Sequence, residues 1–361
     1  MQPLIIGGGL AGCAASIDLA LAGLNPCLIE RNPDPHDKIC GEFLSGEAVA
    51  ALAGLGVDAR ALGAVPITRV ELWAGRRQAA ARLPFPALSL SRRVLDAHLV
   101  ARSTKLVAEF HGGVAVNQIS GDTVRTSGGD IAARPIFLAT GKHDVRGHPR
   151  PAGPDQIGLK QYFAAPALHR QLAGTVRVVF FDGGYAGLQP VEGGRLNLCL
   201  LADGPLYRDL GNWDALLAHL LAQPGLAALG DAQPLLAKPL AIARVPYGHL
   251  AQPAGDDGLW RLGDQAAVIP SFCGDGMGIA LESGRLAAAM LAAGASADQY
   301  QAALLARTRR PVRLAMAALG LAETRLGRLA AIAGLGAIPG ALALLARMTR
   351  VADPGRLAPA A

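Results

Sequence analysis

Lysine is scarce in this chain, and the scarcity limits what its positive charge can be for. Among 361 residues it occurs only as Lys38, Lys105, Lys142, Lys160 and Lys238, so the net charge of +6 and the pI near 9.3 rest on arginine. Aromatic residues make up only 4% of the chain and are not interleaved with the cations, so a nucleic-acid-binding face is not expected. A mildly basic surface suits anionic cofactors or anionic lipid and singles out neither. The cysteines (Cys13, Cys27, Cys40, Cys199, Cys273) are odd in number and contain no Cys-x-x-Cys pair. That pattern argues against a disulfide framework or a zinc site and for a reducing, cytoplasmic compartment. The scattered histidines (His36, His98, His111, His143, His148, His169, His219, His249) show no metal-ligand spacing, and no Ser/His/Asp arrangement is legible. The N-terminus has no basic region followed by a cleavage site, so no signal peptide is expected. Leu329 to Ala346 carries no charge but is interrupted by Gly334, Gly336, Pro339 and Gly340. A membrane-spanning helix is therefore not expected there; two short helices, packed on the domain or resting on a membrane surface, are. What is abundant is apolar residues, 51% of the chain, enough for a large core. The length predicts two or three domains, or one domain with an insertion.

The first thirty residues carry the clearest pattern. Pro3-Leu4-Ile5-Ile6 reads as a buried strand, and Gly7, Gly9 and Gly12 follow with G-x-G-x-x-G spacing that also includes Leu10 and Ala11. A small-residue helix from Cys13 to Gly23 and a second strand, Pro26 to Ile29, lead to Glu30, with Arg31 beyond. The glycines permit a tight turn, close approach of backbone to a pyrophosphate, and helix–strand contact; the helix N-terminus favours the phosphate charge. Glu30 stands where an acid binds ribose hydroxyls, which disfavours a 2′-phosphate. This spacing predicts a dinucleotide site without deciding between NAD and FAD.

A second segment bears on that choice: Gly263-Asp264, then Pro270, then Gly274-Asp275-Gly276-Met277-Gly278 and a helix expected over Ile279 to Leu291. Glycines at 274, 276 and 278 let backbone approach a flat ring, and the helix dipole faces negative charge that accumulates on a reduced flavin. The segment resembles the second FAD fingerprint of glutathione-reductase-like flavoproteins, closest to the branch of aromatic hydroxylases and geranylgeranyl reductases. The resemblance implies that Asp264 contacts the ribityl chain and that Pro270, Gly274, Gly276, Met277 and Gly278 pass beside the ring. It extends to Ser91-Arg92-Arg93-Val94-Leu95-Asp96, implying Arg92 near flavin and pyrophosphate, and to Ala139-Thr140-Gly141. Many aromatic hydroxylases carry an Asp-Gly pair at that last place; here the chain reads Ala139-Thr140-Gly141-Lys142-His143. That departure leaves the handling of a nicotinamide donor open.

Lys38-Ile39-Cys40-Gly41-Glu42-Phe43-Leu44-Ser45 resembles a loop common among geranylgeranyl-reductase-like proteins, which runs along the flavin and borders the substrate cavity. Cys40 is either a catalytic or gating side chain or a small filler beside the ring. Lys38 pairs with a phosphate or with Glu42. Strands at Val176–Phe181, Tyr185–Pro190 and Leu196–Leu201, with Thr68–Trp73 and Ala79–Leu83, form the expected antiparallel roof. Tyr185, Gln189 and Pro190 stand where the reductases carry an aromatic-rich motif, of which only Tyr and Pro remain. They are the candidate substrate residues. The halogenase Trp-x-Trp-x-Ile-Pro motif is absent, so halogenation is not expected.

Together these features predict an α/β fold: a glutathione-reductase-type FAD-binding Rossmann domain, an inserted antiparallel-sheet substrate domain, and C-terminal helices. The expected division assigns residues 1–65, 89–150 and 250–298 to the FAD domain, 66–88 and 151–249 to the substrate domain, and 299–361 to the helical segment. The resemblance implies an FAD enzyme using NADH or NADPH as external donor. It would hydroxylate or epoxidise an apolar, polyketide- or isoprenoid-like molecule through a flavin hydroperoxide. A reductase of lipophilic C=C bonds is the first alternative, and a non-turnover flavoprotein or lipid-binding partner the second. The expected partner is a lipophilic small molecule, with no nucleic acid and with peripheral membrane contact as an open reading.

Overall fold

The computed structural model describes residues 2–107, 109–253, 257–337 and residue 350. A parallel sheet of five strands runs in the spatial order Leu259–Arg261, Ile136–Leu138, Leu4–Ile6, Cys27–Glu30, Glu109–Gly112. Its central strands are uninterrupted apolar runs because helices or strands cover both faces. On one face lie the helices Leu10–Leu21, Arg92–Thr104 and Gly276–Ala292, with Ile5, Leu28, Phe137 and Trp260 in a shared core. The other face is closed by the small antiparallel sheet Val116–Ser120, Thr123–Thr126, Gly129–Ala132 through Ile119 and Val124.

A larger sheet stands beside this layer, in the order Gln233–Pro234, Gln156–Ala164, Arg195–Asp203, Gly184–Pro190, Thr175–Phe181, Val65–Ala74, Arg77–Ser89, Phe43–Leu44. Leu240–Ala243 also pairs with Gln156–Ala164. The sheet departs from the expected purely antiparallel roof at one place: Thr175–Phe181 lies parallel to Val65–Ala74. The chain leaves for the parallel layer between these strands and re-enters the sheet later, so the two meet in the same direction. Its outer face packs on Trp213–Leu221 and neighbouring helices through Leu159, Phe163, Leu198 and Leu216.

The long helix Ala297–Glu323 opens on a capping box in which Ser296 and Gln299 exchange hydrogen bonds. It begins two residues before the helical segment expected over 299–361. The helix Arg325–Ala337 follows after a sharp corner. It takes up the first part of the uncharged Leu329–Ala346 run, where two short helices were expected; residues 338–346 lie outside the described residues. No helix among the described residues is long and apolar enough to cross a membrane.

Close backbone packing places the glycine turn. A Cβ on Gly12 would sit 1.8 Å from the carbonyl oxygen of Gly7, and one on Gly284 would sit 2.3 Å from that of Ala11. Neither neighbour is a flexible side chain, so neither can yield without moving the first helix. Gly12→Ala and Gly284→Ala should each destabilise the fold by at least about 2 kcal/mol, as measured by urea unfolding, whereas Gly276→Ala, which meets nothing within 4 Å, should leave the unfolding midpoint nearly unchanged.

Candidate active site

A continuous cavity of about 950 Å³ lies between the parallel layer and the larger sheet. At its first end the strand Leu4–Ile6 gives way to Gly7, whose φ of +112° and whose approach to Ala139 O (2.4 Å from a built Cβ) admit only glycine. Gly9 is the N-cap of the first helix, with no side chain capping it, and its own Cα faces open space short of Arg92. The free N–H groups of that first turn therefore face the cavity. The Glu30 carboxylate accepts from Gly8 N at 2.6 Å and from Asn32 N at 2.9 Å, which fixes the acid against the turn it follows by 22 residues. Arg31, Lys38, Lys142 and His143 line the same end.

Arg92 is no surface residue. It is half-buried and bonds Asp96 through Nε (2.8 Å) and Nη2 (2.9 Å), and Lys38 reaches the same carboxylate at 2.8 Å. Lys38 thus pairs with neither Glu42 nor any group at the glycine turn. Burial opposes the charge on both Arg92 and Asp96, yet each holds the other charged: the guanidinium stands above its ordinary value and the carboxyl below. Lys142 is held above its ordinary value by Asp264, 3.3 Å away. His143 is held below by burial and by Arg31 and Lys142.

At the other end the chain turns through Gly274 (φ +71°) into the helix Gly276–Ala292, which begins three residues earlier than the sequence pattern suggests. Gly276 and Met277 are therefore inside its first turn, where their N–H groups have no partner within the helix. Of the residues expected to hold cofactor, Gly7, Gly9, Leu10, Ala11, Glu30, Arg31, Lys38, Cys40, Gly41, Arg92, Thr140, Gly141, Asp264, Gly274, Gly276 and Met277 line the cavity. Gly12, Pro270, Asp275 and Gly278 do not. Gly12 closes the helix on the strand behind the turn, and Gly278 stands against the Asp275 carboxylate. Asp275 itself is buried, accepting from Ser45 (3.3 Å) and Arg350 (3.1 Å).

The roof is one face of the larger sheet. Register pairs Val70 with Val176, Leu72 with Val178, Phe180 with Tyr185, Gly187 with Cys199, and Lys160 with both Cys199 and Leu240. Residues two apart share this face, so the wall grades from Val70, Val178 and Phe180 through Gly187 to Gln189, Asn197 and Lys160. Tyr185 and Gln189 line the cavity and Pro190 does not. The Tyr185 hydroxyl is buried and has no hydrogen bond of ordinary length among the described residues. Ser271 lies near enough to bear on its ionisation but is bonded to Tyr247 at 2.7 Å. Burial holds the phenol well above its ordinary value, so it stays a donor at physiological pH. Burial likewise pushes the thiols of Cys199 and Cys273 up to about 12, which makes them inert lining. Cys40 lines the cavity, half-buried, with Sγ accepting from Glu42 N at 3.3 Å.

The sequence reading missed the group that holds the Cys40–Gly41 loop. Glu42 is fully buried at a φ of +62°, and its Oε1 receives Lys160 Nζ (2.5 Å), Tyr162 OH (2.6 Å) and Arg92 N (2.8 Å). Lys160 also donates to Lys38 O at 3.0 Å, and Asn197 donates to Cys40 O (3.1 Å) and Gly41 O (3.0 Å). Burial raises the Glu42 carboxyl above its ordinary value, with Lys160 opposing. The only sequence signal was a lysine inside a mostly apolar strand, and its partner lies 118 residues upstream.

These residues fit FAD. A glycine cradle and an acid at one end, cations beside the cradle, and a ring-side glycine loop opening a helix at the other are the donor set a flavin dinucleotide needs.

The comparisons with known proteins agree. A family model for an FAD-binding domain matches residues 1–103. The chain is 26% identical over 331 residues to the menaquinone reductase of Mycolicibacterium smegmatis, covering 83% of this chain and 78% of that protein. The probable FAD-dependent monooxygenase PqsL of Pseudomonas aeruginosa has the same fold, with a TM-score of 0.71 at 17% identity over 92% of this chain and 99% of that one. So has a flavoprotein/dehydrogenase from Cytophaga hutchinsonii, with a TM-score of 0.75 at 16% identity over 97% of each chain.

Two outcomes follow. Glu30→Ala removes a charge-assisted bond of about 1.5–3 kcal/mol and should weaken FAD binding by about 10- to 100-fold, read by quenching of flavin fluorescence. Lys160→Met removes the cationic partner of a fully buried carboxyl and should cost about 3–5 kcal/mol of stability. Because the folded protein holds the Glu42 proton more tightly than the unfolded chain does, that residue's contribution is full below the ordinary carboxylate range and falls as pH rises through the raised value. Glu42→Gln should therefore flatten the fall in melting temperature on going from mildly acidic to neutral pH.

Proposed function

We propose that the chain is an FAD-dependent oxidoreductase that hydroxylates or epoxidises an apolar, polyketide- or isoprenoid-like molecule. NADH or NADPH would serve as external donor. The observation that carries this reading is the chamber under the roof sheet, apolar from Val70 to Leu201 and continuous with the ring-side glycine loop. When bound, FAD would supply the redox and oxygen-transfer chemistry. Gly9, Glu30 and Arg92 would hold its dinucleotide end, and Asp264, Gly276 and Met277 its ribityl and ring end. The protein's own contribution is exclusion of water by Val178, Phe180, Leu201 and Phe272, and orientation by Tyr185. That phenol is a buried donor with no hydrogen bond of ordinary length among the described residues, and it supports recognition of one oxygen on an otherwise apolar substrate.

A second reading, reduction of a lipophilic C=C bond, is favoured by the Lys38–Ser45 loop and by the similarity to a menaquinone reductase. Turnover assays with NADH or NADPH and candidate lipophilic substrates, in air and anaerobically, separate the two. Oxygen uptake matched to an oxygenated product supports the first; a saturated product formed without oxygen overturns it in favour of the second. In either case Tyr185→Phe should lower kcat/KM by about 5- to 10-fold, the worth of one buried neutral hydrogen bond, while FAD affinity stays unchanged.

A further inference from the structure

The corner between the helices Ala297–Glu323 and Arg325–Ala337 has a surface unlike the rest of the chain. Leu321 is 63% exposed and Leu326 81% exposed, the two most exposed large apolar side chains among the described residues. Leu321 also lines the cavity, as do Ala322, Gly327, Ala330 and Ala331. The apolar cluster that contains Phe180 and Tyr185 continues through Leu319 and Ala322 to this corner. Apolar residues therefore extend from the chamber wall to the exposed Leu321.

The corner is also held in place. A Cβ on Gly327 would meet Leu321 O at 2.0 Å, and Gly327 N donates to Thr324 Oγ1 at 3.0 Å. Arg328 turns inward, pairing with Asp182 and donating to Phe181 O at 3.5 Å, which ties the corner to the roof sheet. The exposed leucines stand outward from a fixed turn. Along the preceding helix, Arg309, Arg310, Arg313, Ala317 and Gly320 are exposed and lie within about 100° of one another at 3.6 residues per turn, with Leu321 close beside them. Glu323 is exposed at the end of the same helix, and Arg325 stands at the turn itself. A stripe of arginines leading to exposed leucines is complementary to an anionic headgroup layer over acyl chains.

We propose that this corner docks the protein on an anionic lipid bilayer and is the mouth through which an apolar molecule passes between membrane and cavity. The second clause rests on the apolar-substrate reading; the docking surface does not. Leu321 and Leu326 enter the acyl boundary, and Arg309, Arg310, Arg313 and Arg325 meet the phosphates.

The test is flotation of the FAD-loaded protein with vesicles of phosphatidylcholine alone or mixed with phosphatidylglycerol. The expected result is binding to the mixed vesicles that weakens with salt. It should fall by about tenfold or more in Leu321→Ser/Leu326→Ser and in Arg309→Glu/Arg310→Glu/Arg313→Glu. Both variants change only exposed side chains, and unaltered flavin absorbance and melting temperature would verify that they fold. No binding to mixed vesicles, or equal binding by the leucine variant, overturns the proposal. So does concentration-dependent self-association, abolished by the leucine variant, without vesicle binding, because the corner would then be an interface between copies of the chain. Because no turnover is measured, failure here leaves the proposed reaction standing, and failure of that reaction leaves the docking result standing.

Discussion

The carboxylate of Glu42 is a point at which the parallel layer and the larger sheet of this protein are joined. It belongs to the loop that leaves the parallel layer, yet its oxygen takes hydrogen bonds from Lys160 and Tyr162 of the roof and from the Arg92 backbone at a helix start. A carboxylate and an ammonium removed wholly from water are costly unless their geometry is good, and removing one partner is worse than never having had the pair. The loop accepts a left-handed, non-glycine residue at position 42 to make the pairing, a strain of about 1–3 kcal/mol. Asn197 then holds the Cys40 and Gly41 carbonyls. The floor of the cavity at Cys40 and Gly41 is as rigid as the roof it hangs from.

Glycine does the matching work on the other side. Gly7, Gly12 and Gly284 let the first strand, the first helix and the helix Gly276–Ala292 approach closely enough that both helix N-termini open on the same cavity. The glycine turn at Gly7 and the loop at Gly274, more than 250 residues apart in the chain, are thus brought to one cavity by backbone contact. Charge follows the same division. Arg31, Lys38, Lys142 and His143 line the end at the glycine turn, while the roof side of the chamber is apolar over Val70, Leu72, Val176, Val178, Phe180 and Leu201 and carries Tyr185 and Gln189.

Solved proteins with this fold are described as a monooxygenase and as a dehydrogenase, and a more similar sequence is a menaquinone reductase. The fold supplies the flavin site and leaves the reaction to the chamber. In this chain the chamber's character comes from side chains two apart on adjacent strands, with Gly187 leaving room at the centre and Phe180 and Phe272 flanking Tyr185.

The glycine spacing at residues 7 to 12, Glu30, and the Gly263–Gly278 segment were legible in the sequence by themselves, because each is a local pattern in which the chemistry demands particular residues at fixed intervals. The parallel layer and most of the roof strands were legible for the same reason: apolar runs bounded by glycine declare themselves within ten residues. The tertiary structure alone decided that Lys38 pairs with Asp96 and not with Glu42, that Asp275 and Gly278 stand behind the cavity wall, and that one pair of roof strands runs parallel. Each of these depends on which of several residues of like chemistry, separated by tens to hundreds of positions, comes within about 3 Å. Local sequence carries no information about that distance; the packing of the two sheets sets it.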